Sequence, residues 1–225
     1  MVILTTMHAD LASKVMQLAV SDLGLDFLLR ADENILSDLD ALKWTVEKQH
    51  SDRQIRRQAF AAAIPSAIAT ACLKSAEQSG LAYITESTAK PGYHYPKILT
   101  ASFVITTRNK NSTSFVNADY SKTLGKQNGR LEPYNLDLFE VVDRSSLPLD
   151  KLFAVISAKA DYLSIENSVV TVDIPFPSLK NCFAEYRLSE LLQLAKEPPV
   201  PPAPIDPAPI LLKRLGQIEL ENATN

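Results

Sequence analysis

Residues 90–130 concentrate the side chains best suited to an anionic ligand. Lys90, Lys97, Arg108, Lys110, Lys122, Lys126 and Arg130 are interleaved there with Tyr93, Tyr95, Phe103, Phe115 and Tyr120. Cations at this density hold phosphate without reading sequence, and aromatic faces stack on bases. Asn109, Asn111, Asn117 and Asn128 add hydrogen-bonding tips. The candidates for nucleic-acid contact are Lys97, Arg108, Lys110, Lys122, Lys126 and Arg130. Two other readings fit the same residues. The aromatics could belong to a core, with lysines keeping a long hairpin soluble, or the cations could face an acidic protein partner. Downstream lies a strand rich in acid, LDLFEVVD at 136–143. Alternation sets Asp137, Phe139, Val141 and Asp143 on one side and Leu138, Glu140 and Val142 on the other. The next apolar run ends in Ser157-Ala-Lys159.

An acidic strand followed by a strand ending in lysine resembles, in order, the PD-(D/E)xK nuclease core over residues 77–195. The resemblance implies that Asp137, Glu140 and Lys159 are catalytic, with Asp137 and Asp143 holding Mg²⁺ and the lysine steadying the attacking water or the leaving charge. It also implies an upstream helix-borne acid, Glu77 or Glu86. The chain departs from that pattern in two places. Ser157 stands two before Lys159, where the family has an acid, and Pro133 is separated from Asp137.

Charge is divided along the chain. Residues 1–89 are net −3, residues 90–130 net +6 and residues 131–225 net −6. Hydrophobic residues make up 46% and charged residues 22%, the composition of a globular chain able to bury a core. Cys72 and Cys182 are far apart in apolar contexts, which fits reduced thiols and a cytoplasmic protein. No transmembrane span and no signal peptide are expected. His8, His50 and His94 are too dispersed for a zinc site, and 6 glycines supply no phosphate-binding loop.

Periodicity predicts the elements that carry these residues. Helices are expected over 9–30, with Gly24 near a break, and over 37–48, starting at a Ser37/Asp40 capping box. A third is expected over 51–79, kinked or split at Pro65 and stopped by Gly80. Arg53, Arg56 and Arg57 share one side of it, either as a solvated face or as a phosphate or acidic-partner contact. Strands are expected over 81–86, 98–107, 114–120, 136–142 and 168–174, with 121–130 a loop and 152–157 strand or helix. A covering helix is expected over 178–196. The fold class is therefore α+β: a helical part at 1–80, a mixed or antiparallel sheet of four to six strands within 81–197 sharing one compact domain with it, and an arm at 198–225.

Residues 198–209 hold 7 of the 14 prolines, so an extended arm of about 37 Å is expected. The short apolar stripe Leu211, Leu215 and Ile218 follows it. Two function classes follow: a nucleic-acid-associated protein with a degenerate PD-(D/E)xK-like domain, or a non-catalytic binding module or assembly subunit. The second would use residues 198–221 to engage a protein partner or further copies of itself.

Overall fold

The computed structural model describes residues 2–88, 94–112, 114–131 and 151–196, without the side chains of 2–10, 114 and 130. The acidic segment 136–143 and the arm 198–225 lie outside the described residues.

Two long helices come first. α1 (Val2–Gln49) is broken at Gly24, whose φ of 71° is a conformation glycine adopts without Cβ strain. Beyond the break, Phe27, Leu28, Ala31, Ile35, Leu39 and Val46 are all buried. That continuous stripe overrides the local capping preference, so no separate helix begins at Ser37. α2 (Arg53–Gln78) starts at Asp52, whose Oδ1 accepts the N–H groups of Gln54 and Ile55 at 2.8 and 2.9 Å. α2 runs through Pro65 as one helix, so the split into two does not occur. Pro65 and Ala61 are both exposed, so water can satisfy the Ala61 carbonyl that proline leaves without a donor. Phe60, Ile64, Ile68 and Cys72 face inward. Gly80 (φ 72°) closes the helix in a Schellman motif, with its N–H on the Glu77 carbonyl (3.2 Å) and Leu81 N–H on the Ala76 carbonyl (2.9 Å).

Six strands then build one mixed sheet in chain order: β1 (Ala82–Ser87), β2 (His94–Leu99), β3 (Phe103–Asn109), β4 (Leu152–Lys159), β5 (Val169–Pro175) and β6 (Cys182–Arg187). Neighbours are antiparallel except β3 and β4, which are parallel and joined by a long crossover. α5 (Leu188–Lys196) follows β6. The fold is α+β, as the element pattern implies.

Several boundaries differ from the periodicity. The single strand expected over 98–107 is a hairpin. Asp22 of α1 clamps its turn, accepting Thr100 Oγ1–H at 2.7 Å and Ser102 N–H at 2.6 Å, while Lys151 Nζ donates to the Thr100 carbonyl at 2.6 Å. The return strand expected over 114–120 is helical instead: α3 (Ser114–Asn117) and α4 (Asp119–Gly125). The expected loop 121–130 holds most of α4 and a 3-10 helix, Lys126–Leu131. Residues 152–157 are strand. The helix expected over 178–196 forms only from Leu188: its first part is a turn containing Leu179 (φ 60°) and then β6, which runs straight into α5. Here alternation across the sheet won: Tyr186 is buried while its neighbours Glu185 and Arg187 are exposed.

The two faces of the sheet have different covers. One face, with Ile98, Ile105, Ala154, Ile156, Val172 and Ile174, shares a core with α1, α2 and α5. The other is covered at one end by the crossover helices, where Phe115 and Leu124 pack with Val104, Phe153 and Val155. Asn128, predicted as a polar tip, is fully buried there. Its Nδ2 donates to the carbonyls of Phe153 and Pro175, and its Oδ1 accepts Phe153 N–H, all within 2.7–2.8 Å.

Candidate functional site

The other end of that second face carries the densest polar cluster among the described residues. Register places Arg108 opposite Ser157, Ser157 opposite Thr171, and Asp173 opposite Glu185. Their side chains therefore converge on one face across β3, β4, β5 and β6. Asp173 is completely buried. Its carboxylate accepts hydrogen bonds from Ser157 Oγ at 2.6 Å, from Thr171 Oγ1 at 2.7 Å and from Arg108 Nη2. Arg108 Nε also donates to Ser157 Oγ at 2.7 Å, and the guanidinium lies 5.4 Å from the Phe115 ring centre. Lys110 Nζ stands 3.8 Å from Asp173 Oδ1 and 2.5 Å from Glu185 Oε1.

Described donors occupy three of the roughly four acceptor positions of Asp173. A metal ion would have to displace hydroxyl and guanidinium donors from it, and proton abstraction would require a free lone pair aimed at substrate. The cluster instead holds the charged heads of Arg108 and Lys110 in place. Asp173 is the residue that sequence reasoning missed. The available signal was an acid within the apolar run VVTVDIP, on the side of the strand shared with Thr171.

The predicted site residues are dispersed. Lys159 is exposed at the carboxyl end of β4 and makes no ion pair with any described residue. Asp137, Glu140 and Asp143, its predicted partners, lie outside the described residues. Glu77 is exposed near the end of α2, but Glu86 is not helix-borne. It stands on β1, three strand spacings or about 14 Å from β4. There it accepts Lys97 Nζ–H at 2.6 Å and Tyr95 O–H at 2.5 Å, which hold its carboxyl below the usual carboxylate range. Burial, then the bond to Glu86, pushes the Tyr95 phenol up.

Of the six cations proposed to contact nucleic acid, three are engaged within the protein: Lys97, Arg108 and Lys110. Lys122 and Lys126 are exposed on α4 and the 3-10 helix, and among the described residues their one close acid is Asp119, 3.9 Å from Lys122. Arg130 has no described side chain. Four of the five aromatics expected to stack on bases pack within the protein. Tyr95, Phe103 and Phe115 are buried, and Tyr95 stacks on Tyr120 with centroids 3.9 Å apart. Tyr93 lies outside the described residues.

Among the described residues no group of three His, Cys, Asp or Glu side chains is placed to hold a metal. Both cysteines are free thiols, and burial pushes Cys72 up to about 12, which leaves it protonated and unreactive. One described helix, α2, is long and apolar enough by length and composition to cross a membrane. Searches of family models, curated proteins and solved structures find no match to this chain.

Proposed function

We propose that this protein is a nucleic-acid-associated, cytoplasmic module that binds phosphate backbone through Lys122, Lys126 and Lys159. Arg108 and Lys110 serve as the fixed floor of the surface rather than as its principal contacts. The observation that carries this reading is that Lys122 and Lys126 stay exposed on the crossover helices over one end of the second sheet face, with Asp119 near Lys122 as the one close acid among the described residues, while Lys159 is exposed at the other end, beside Lys110 at the carboxyl ends of the parallel β3/β4 pair. The backbone bond from Lys110 N–H to the Ala158 carbonyl at 2.9 Å fixes that placement. Carboxyl ends of parallel strands are where open sheets with helical crossovers most often receive ligands. Free thiols at Cys72 and Cys182 suit a reducing compartment.

The test is fluorescence anisotropy with labelled single-stranded and duplex oligonucleotides at low salt. Binding that weakens strongly in Lys122→Ala/Lys126→Ala/Lys159→Ala supports the reading, and absence of binding by the parent protein overturns it. A parallel Mg²⁺ incubation tests the nuclease-like reading. Cleavage by the parent protein that disappears in Asp137→Ala and Lys159→Ala assigns catalysis, and intact oligonucleotide leaves a binding module.

A further inference from the structure

The two edges of the sheet are not alike. β6, at one edge, carries exposed Arg187, meets a bulge at Ile174/Pro175, and turns directly into α5. These are devices that block pairing with another strand. β1, at the other edge, has none of them. Its six residues pair with β2 in unbroken register, and it contains no lysine, proline or bulge. Tyr83 and Ile84 are 39% and 44% exposed on opposite faces. Its single charge, Glu86, is already neutralised by Lys97. No described residue hydrogen-bonds to the outer edge of β1.

α2 lies across this half of the sheet, touching β1, β2 and most of all β3, whereas α1 and α5 touch β6 at the far side. Residues 58–73 of α2 contain no charged side chain. Only 39% of its most apolar 18-residue stretch is buried, although a core helix of that composition is mostly buried. The exposed side presents Ala61, Ala62, Pro65, Ser66 and Thr70. Charges stand only at its ends: Arg53 and Arg57 at one, Lys74 and Glu77 at the other. An apolar centre with a charged rim is how protein interfaces are organised.

We infer that this edge is the two-fold interface of a homodimer, in which β1 pairs antiparallel with β1 of a second copy and α2 packs beside its counterpart. A two-fold axis normal to the sheet opposes residues that point to the same face only when it passes through a residue. Centred on Ile84, it sets Ile84 against Ile84, Tyr83 against Thr85 and Ala82 against Glu86, with no like charges opposed. Pairing of one six-residue strand falls short of the roughly 800 Å² per partner of a stable interface. The inferred packing of α2, a helix about 39 Å long, adds to that area. The second copy is favoured as occupant because an open strand edge and a neighbouring uncharged helix face are both self-complementary about the same axis.

The test is sedimentation velocity of the full chain over a wide concentration range, with circular dichroism as a check on folding. The expected result is a species of twice the 24.8 kDa chain mass. Ile84→Lys, which places a lysine on the edge, and Ala62→Glu, which puts a charge in the middle of the helix face, should each yield a folded monomer. A parent protein that is monomeric throughout overturns the inference, as does a dimer that survives both substitutions. A monomer that co-sediments with phosphatidylcholine vesicles through α2 also overturns it, assigning that helix face to lipid.

Discussion

Replacing Asp173 with asparagine should be among the most damaging single-atom changes available in this protein. The substitution keeps shape but deletes the charge, and it turns one acceptor oxygen into an NH₂ group. That group would face the donors of Ser157, Thr171 and Arg108, which now all address the carboxylate. Lys110 retains Glu185, so the orphan is Arg108, whose side chain is only 14% exposed. Removing one partner of a buried ion pair costs about 3–5 kcal/mol. Partial access of Arg108 to water sets the expectation at the lower end, about 3 kcal/mol. For a chain of this size that is a fall in Tm of roughly 6–12 °C, and a drop in urea midpoint of about 1–1.5 M at an m-value of 2–3 kcal/mol/M. Thermal and urea unfolding followed by circular dichroism measure both. Lys159→Ala, at an exposed and unpaired site, should stay within about 0.5 kcal/mol of the parent and serves as the control. In a double-mutant cycle, Arg108→Ala should be far less costly in the Asp173→Asn background than in the parent. A loss below about 1 kcal/mol for Asp173→Asn, or strict additivity with Arg108→Ala, would refute the claim that this carboxylate organises the face.

Two further perturbations test other supports. Asn128→Ala leaves the Phe153 N–H and the carbonyls of Phe153 and Pro175 buried without their partner, so a loss of about 3 kcal/mol or more is expected in urea unfolding; a loss near zero would mean water replaces the amide. Glu86 tests the pH dependence. The bonds from Lys97 and Tyr95 depress its folded-state pKa, so its contribution is present above its ordinary value near 4.5 and disappears as pH falls below it. The Tm difference between the parent and Glu86→Gln should therefore shrink steadily on acidification, and a difference that grows would contradict the assignment.

The architecture was largely legible because burial leaves a period in sequence. The helical spacing from Phe27 to Val46 and the β-branched runs at 152–157 and 168–174 mark elements whose buried faces are long. Boundaries failed where tertiary contacts decided them. Nothing local in Ile98–Thr107 announces that Asp22, some eighty residues earlier, will clamp a turn at Thr100 and Ser102. Residues 114–120 look like a strand because Phe115 and Tyr120 are β-prone, yet they cover the second sheet face as short helices. The same effect scattered the predicted site. Lysines and tyrosines contiguous in sequence were sorted by the fold into a core, into internal ion pairs and into an exposed remainder. The most organised polar residue, Asp173, escaped notice because one buried acid in a strand carries no motif.

The division of the cations into engaged and free groups is tested most directly by the salt dependence of oligonucleotide binding. Each phosphate contact contributes about 0.7–0.9 to the slope of log affinity against log salt. Removing Lys122, Lys126 and Lys159 together should therefore lower the slope by about 2–3. A slope unchanged by the triple substitution, or a parent protein that does not bind, would contradict the account.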